Sequence, residues 1–152
     1  MSSACSRSLP LPSVAGHRSR CQVNGDLPDT ACTPGAVDPR VTQSNLASTV
    51  CAAGYTLTVR PPASYTKALK RRQIAEYGYA DTSLPDYEED HLIPLSLGGA
   101  PFDPRNLWPE PGRSPNPKDA VERKLHRLVC AGKMSLAEAQ TRMRTNWTTA
   151  AE

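Results

Sequence analysis

The sequence predicts a small α+β domain, and three observations lead there. Of 152 residues only 38% are hydrophobic and fifteen are proline, which argues against a large sheet or a long helical bundle. A β-rich apolar run, His91–Leu97, meets a Gly98-Gly99 turn and is followed by a second short extended segment at Asn106–Trp108. Two segments with helical periodicity come after it, each with its own start and stop signals.

The elements follow in chain order. Residues 1–30 are rich in Ser, Pro, Gly and Arg without apolar periodicity, and read as a flexible tail ahead of a single domain spanning 31–152. Cys32–Arg40 is loop with turn chemistry at Pro34-Gly35. Val41–Val50 has a weak helical pattern. Tyr55–Val59 (YTLTV) is β-rich, and Arg60-Pro61-Pro62 ends it. Ser64 is placed to cap an N-terminal helix over Tyr65–Tyr77, with Gly78 as its stop; Tyr65, Leu69 and Ile74 would face inward. The two extended segments form a hairpin, and Pro109–Pro117 is a stiff connector with four prolines. Lys118–Ala131 carries Val121, Leu125, Leu128 and Val129 on one stripe, with Gly132 beyond it. Ser135 and Glu138 have capping-box spacing for a C-terminal helix whose apolar face is Leu136, Ala139, Met143 and Trp147.

Net charge is +3, too small to diagnose a partner, but its distribution is uneven. Arg60–Arg72 holds five basic residues and no acid, Asp86–Asp90 four acids and no base, and Arg113–Lys133 six basic residues against two acids. Basic segments flanking an acidic one suit a polyanion held over a cation. No apolar run approaches membrane-spanning length, so no membrane partner is expected. Leu9–Ala15 is broken by Pro10 and Pro12 and makes no signal peptide. The default expectation is a cytoplasmic monomer, with export open if the start codon is misassigned. Among the five cysteines no two have CxxC spacing, so a structural zinc is not expected. Cys5 and Cys21 fall in the tail. Of Cys32, Cys51 and Cys130, any two could pair, or all could stay free.

The densest chemistry lies in Glu88–Pro109, EEDHLIPLSLGGAPFDPRNLWP. Asp90-His91, then Ile93-Pro94, Gly98-Gly99 and Asn106-Leu107, followed by a helix, resembles the HNH endonuclease superfamily, the ββα-metal nuclease fold. The extension through Trp108-Pro109, Lys118-Asp119, Glu122, Val129-Cys130 and Ala139-Gln140 resembles a compact bacterial subgroup of it. The resemblance implies a hairpin-plus-helix core over about 88–131, with an additional N-terminal and a C-terminal helix. It also implies metal-dependent hydrolysis of phosphodiester bonds in DNA, leaving a 5′-phosphate.

The residue types suit those roles. His91 can be neutral and basic near pH 7, as a general base requires. Asp90 would ligate one divalent ion, with Mg²⁺ expected and Mn²⁺ or Zn²⁺ as alternatives. Asn106 would tie the hairpin loop together and position His91. The second ligand would be Asn116, with Asp119 and Glu122 as rivals that equally suit a helix N-terminus. Arg60, Lys67, Lys70, Arg71, Arg113 and Lys118 would contact phosphates. No base-reading motif is visible, so low sequence specificity on DNA is expected, with RNA open. Two other readings stand beside this one. One is a catalytically inactive module of the same shape binding nucleic acid or a protein; the other is an exported, disulfide-stabilised protein whose hairpin is only structural.

Overall fold

The computed structural model describes residues 20–152, and it is α+β. A two-stranded antiparallel sheet, β1 (Tyr87–His91) and β2 (Leu107–Pro111), is set among α1 (Tyr55–Val59), α2 (Ala63–Glu76), α3 (Pro117–Cys130) and α4 (Leu136–Asn146). A 3-10 segment, Gln43–Ser48, occupies the weak helical pattern near the start.

The hairpin is shifted from its expected place. The strand is the acidic run Tyr87–His91, not His91–Leu97. Register pairs Glu88 with Glu110, Asp90 with Trp108 and His91 with Leu107. Beyond His91 the chain leaves the sheet, because Pro94 has no N–H to donate and Leu95–Leu97 winds into a 3-10 turn. Leu92, Ile93, Leu95 and Leu97 are all buried, so this run feeds the core on every side instead of alternating. β2 is correspondingly longer than Asn106–Trp108 and takes in Pro109 and Pro111, which a two-stranded ribbon tolerates because each strand has an unpaired edge. The irregular connector shrinks to residues 112–116.

Tyr55–Val59 is helix, not strand. Gly54, at φ +77°, turns the chain into it, and Thr58 Oγ1 donates to the Tyr55 carbonyl at 2.6 Å. Among the described residues no second strand lies beside it, and β propensity without a partner does not hold a strand. α2 begins at Ala63 with Pro62, not Ser64, in the cap position. Leu69 and Ile74 are buried, while Tyr65 is half-buried and donates its hydroxyl to the Phe102 carbonyl.

The core is built by Leu92, Ile93 and Leu97 against Leu125 and Val129 of α3 and Leu136, Ala139 and Met143 of α4, with Trp147. Trp108 sits elsewhere, packed with Cys21 and Tyr77. The 20–30 part of the expected tail is therefore packed. Cys21 is 1% exposed, is bonded to Cys32, and donates its N–H to the Glu76 carbonyl at 3.1 Å. Residues 1–19, with Cys5 and His17, lie outside the described residues.

A second disulfide joins Cys51 to Cys130, 79 residues apart, and ties the segment before α1 to the end of α3. A bridge closing so long a loop removes much unfolded-chain entropy, worth about 4 kcal/mol in the chain-entropy account. The Cys51→Ser, Cys130→Ser double variant should lose roughly that much in urea denaturation. A loss under about 1 kcal/mol would mean the ends are held together without the bond.

Candidate active site

β1 alternates its side chains, and the two faces meet different partners. Glu88 and Asp90 meet the start of α3, where the Asn116 amide donates to Glu88 and the Lys118 ammonium bonds Asp90. His91 ends the strand and points its ring elsewhere: Nε2 donates to the Pro101 carbonyl at 3.0 Å. A carbonyl only accepts, so Nε2 holds the proton of the neutral ring and Nδ1 keeps the lone pair. Burial, opposed in part by the Pro101 bond, lowers the His91 pKa from its ordinary value, so the ring is neutral at pH 7.

The loop that carries Pro101 is held by Asn106, which is fully buried. Its Oδ1 accepts from the Ile93 N–H at 2.9 Å, and its Nδ2 donates to the carbonyls of Ile93 at 3.0 Å and Ala100 at 3.2 Å. Gly99 lies under this amide. A Cβ there would stand 1.8 Å from the Ile93 carbonyl oxygen, so no other residue fits. Asn106 thus positions the loop behind His91 and does not face the cavity.

A polar cavity of about 360 Å³ runs along the edge of β1. Glu88, Glu89, Asp90 and His91 line one side, Asp119 and Glu122 the other, and Arg60 stands at its margin. Three sequence expectations are corrected here. Lys118 does not contact a phosphate: it has no exposure, and its Nζ donates to Asp90 at 3.0 Å, Glu122 at 2.9 Å and the His91 carbonyl at 2.9 Å. Burial opposes its charge, but the two carboxylates outweigh burial and hold its pKa above the ordinary lysine value. Asp90 is the counter-ion of that ammonium and also accepts from Trp108 Nε1 at 3.2 Å, so its oxygens are engaged. Asn116 caps α3: its Oδ1 accepts from the Lys118 N–H at 2.9 Å and its Nδ2 goes to Glu88. Both polar atoms of Asn116 thus have partners within the protein.

A divalent ion can still be tested against the donors present. Glu88, Asp119 and Glu122 each engage one carboxylate oxygen among the described residues, and all three residues line the cavity. Burial raises the pKa of Glu88 and takes Glu122 to about 7. Both oxygens of Glu89 and one of Glu110 are buried without a partner among the described residues; burial takes these carboxyls to about 9 and about 8. Glu110 stands directly across the sheet from Glu88, an unfavourable pairing of like charges. This is a cluster of hard oxygen donors, and that donor type suits Mg²⁺ or Mn²⁺. No three carboxylate or imidazole donors here lie within 4.8 Å of one another among the described residues. A site of this kind takes one or two direct ligands and completes its shell with water.

The proposed phosphate contacts divide. Arg60, Lys67 and Arg71 are exposed, and Arg113 is largely so while pairing with Asp86 at 3.2 Å. Lys70 is not available. Its Nζ donates to the Leu84 and Tyr87 carbonyls at 3.0 and 2.9 Å and anchors the start of β1. The sequence did carry a signal for Lys118. Counting back along the α3 stripe from Val129 through Leu125 and Val121 lands on it, and Glu122 lies at i+4.

Comparison with protein-family models, with curated proteins and with solved structures finds no match for this chain.

Lys118→Met should cost about 3–5 kcal/mol of stability, because Asp90 is left charged and buried. Adding Asp90→Asn in the same chain should restore a large part of it. Additive losses in the double variant would refute the pairing. Stability should also depend on pH with two opposed limbs. Glu89, Glu110 and Glu122 bind their protons more tightly when folded, so their contribution is full below about 4.5 and is lost as pH rises through 7 to 9. His91 binds its proton less tightly when folded, so its contribution is full above 6.5 and is lost as pH falls below that. The urea midpoint should therefore decline from about pH 6 towards pH 9, and Glu89→Gln should flatten that decline.

Proposed function

We propose that this protein is a metal-dependent endonuclease of the HNH, or ββα-metal, type, hydrolysing phosphodiester bonds in DNA. The observation that carries the reading is His91. Its ring is neutral, its Nε2 proton is pinned by the Pro101 carbonyl so that Nδ1 keeps the lone pair, and the residue lines a cavity together with several carboxylates. The hairpin β1–β2 followed by α3 supports the finer fold assignment, with α2 and α4 as additions at either end.

The chemistry follows from these side chains. Nδ1 of His91 takes a proton from water as its oxygen attacks phosphorus. The P–O3′ bond breaks, the leaving oxygen takes a proton from solvent, and the products are a 3′-hydroxyl and a 5′-phosphate. A divalent ion supplies positive charge for the phosphoryl and leaving oxygens when bound. One or two of Glu88 from β1 and Asp119 and Glu122 from the first turns of α3 would hold it directly, with water completing the shell and Asp90 behind them as the partner of Lys118. Asn106 keeps the Pro101 carbonyl in place and so keeps the imidazole in the required tautomer. Arg60, Lys67, Arg71 and Arg113 would meet backbone phosphates. Lys67 and Arg113 line a second cavity that shares Glu88 and Glu89 with the first. Phosphate contacts without base readout imply low sequence specificity and binding that weakens with salt.

Two disulfides support a second statement, about where the chain works. Bonds of this kind persist in oxidising compartments, so we place the mature protein there. Mass spectrometry of protein purified without reductant should show four cysteines bridged; free thiols throughout would remove this placement.

Plasmid nicking in Mg²⁺ or Mn²⁺ tests the enzyme. His91→Ala should lower the rate by roughly a hundredfold or more, and chelation should abolish it. The rate should climb with pH as His91 deprotonates, with the midpoint of the climb below the ordinary histidine value because burial lowers that pKa. Equal nicking by the variant, or none by either protein, would leave the non-catalytic module as the better reading.

A further inference from the structure

At the far end of α3 from the cavity, three soft-metal donors stand together. Cys130 closes the helix, His126 lies one turn earlier on the same face, and Cys51 reaches them from the segment before α1. One ligand atom of each lies within 4.8 Å of the other two. His126 Nε2 is 3.5 Å from Cys130 Sγ and donates to the Val50 carbonyl at 2.8 Å, next to Cys51 in sequence. With bonds near 2.0 Å to nitrogen and 2.3 Å to sulfur, a tetrahedral zinc ion separates its N and S donors by about 3.5 Å and two S donors by about 3.8 Å. The nitrogen is thus already at the zinc spacing from one sulfur. The disulfide holds the two sulfurs too close together, and breaking it lets them part.

We propose that the Cys51–Cys130 disulfide masks a zinc site, and that the reduced chain binds one Zn²⁺ through Cys51, Cys130 and His126. Reduction by a dithiol adds two electrons and two protons to the bridge, and the dithiol becomes a disulfide. Zinc then displaces both thiol protons to solvent. The His126 ring proton moves from Nε2 to Nδ1, and the bond to the Val50 carbonyl is given up. Water fills the fourth position; His126 also lines a small open cavity with Ser96, Asp119, Glu122 and Arg123. A reductant has access because Cys130 is exposed. Either bond, disulfide or zinc, fastens the end of α3 to the segment before α1. The helix that carries Lys118 and Glu122 is therefore anchored in both redox states. This site is independent of the nuclease reading.

Cobalt titration of the full chain tests it, in a Cys5→Ser background and after reduction with a phosphine. The reduced protein should bind one Co²⁺ with thiolate-to-cobalt charge-transfer absorption and a tetrahedral visible band, and Zn²⁺ should displace it. The oxidised protein should show no thiolate-to-cobalt band. His126→Ala and Cys51→Ser should each weaken binding by roughly tenfold or more, and Cys21→Ser should leave it unchanged. If reduction unfolds the chain, Zn²⁺ should restore its helical circular dichroism in the parent but not in His126→Ala. No cobalt signal, binding that is unchanged in His126→Ala and Cys51→Ser, or no refolding with zinc would each overturn the proposal.

Discussion

The Lys118 ammonium organises the centre of this molecule. It is fully buried and donates to two carboxylates and a backbone carbonyl, using every N–H it has. Its partners come from β1 and from its own helix, so a single group sets the distance and angle between hairpin and helix. Taking an ammonium out of water costs several kcal/mol, and only matched negative partners repay it. That requirement draws Asp90 and Glu122 inward and places the His91 backbone at the same point. The catalytic candidate is held by its carbonyl to Lys118 and by its ring to Pro101.

One ammonium does not balance the acids gathered around it. Glu88, Glu89, Glu110, Asp119 and Glu122 all border Asp90 or the cavity beside it. Burial without enough counter-charge raises the pKa of Glu88, Glu89, Glu110 and Glu122. Carboxyls buried this way cost stability once ionised, and binding sites commonly carry that cost. The same burial acts on His91 in the opposite sense and keeps it uncharged. One low-dielectric environment therefore prepares both an unprotonated base and a set of oxygens that gain from a cation.

Several features could be read directly from residue order. The α3 stripe and the Gly-Gly turn follow from local rules of periodicity and φ freedom, and the Asn106 brace from the resemblance its motif carries. Other features could not. YTLTV has the composition of a strand, but among the described residues no second strand lies beside it and it winds into α1. HLIPLSL looks like a strand because it is apolar, yet the paired strand is the acidic YEEDH before it. Cys21 reads as tail because its neighbours are polar, and it becomes core through a bond to Cys32.

By itself the sequence determined the α+β class, the order of the elements after Ala63, and the identity of His91 and Asn106 as the residues around which the hairpin is organised. Those depend on contacts between near neighbours in the chain. Only the tertiary structure decided that Asp90 serves Lys118, that Asn116 is spent as a cap, and that Lys70 anchors a strand while Arg60 stays exposed. It also decided the pairing of Cys51 with Cys130. Each of these depends on which groups meet after distant segments pack and water is excluded. A charged side chain's role is set by the partners available to it there, and residue type alone does not specify them.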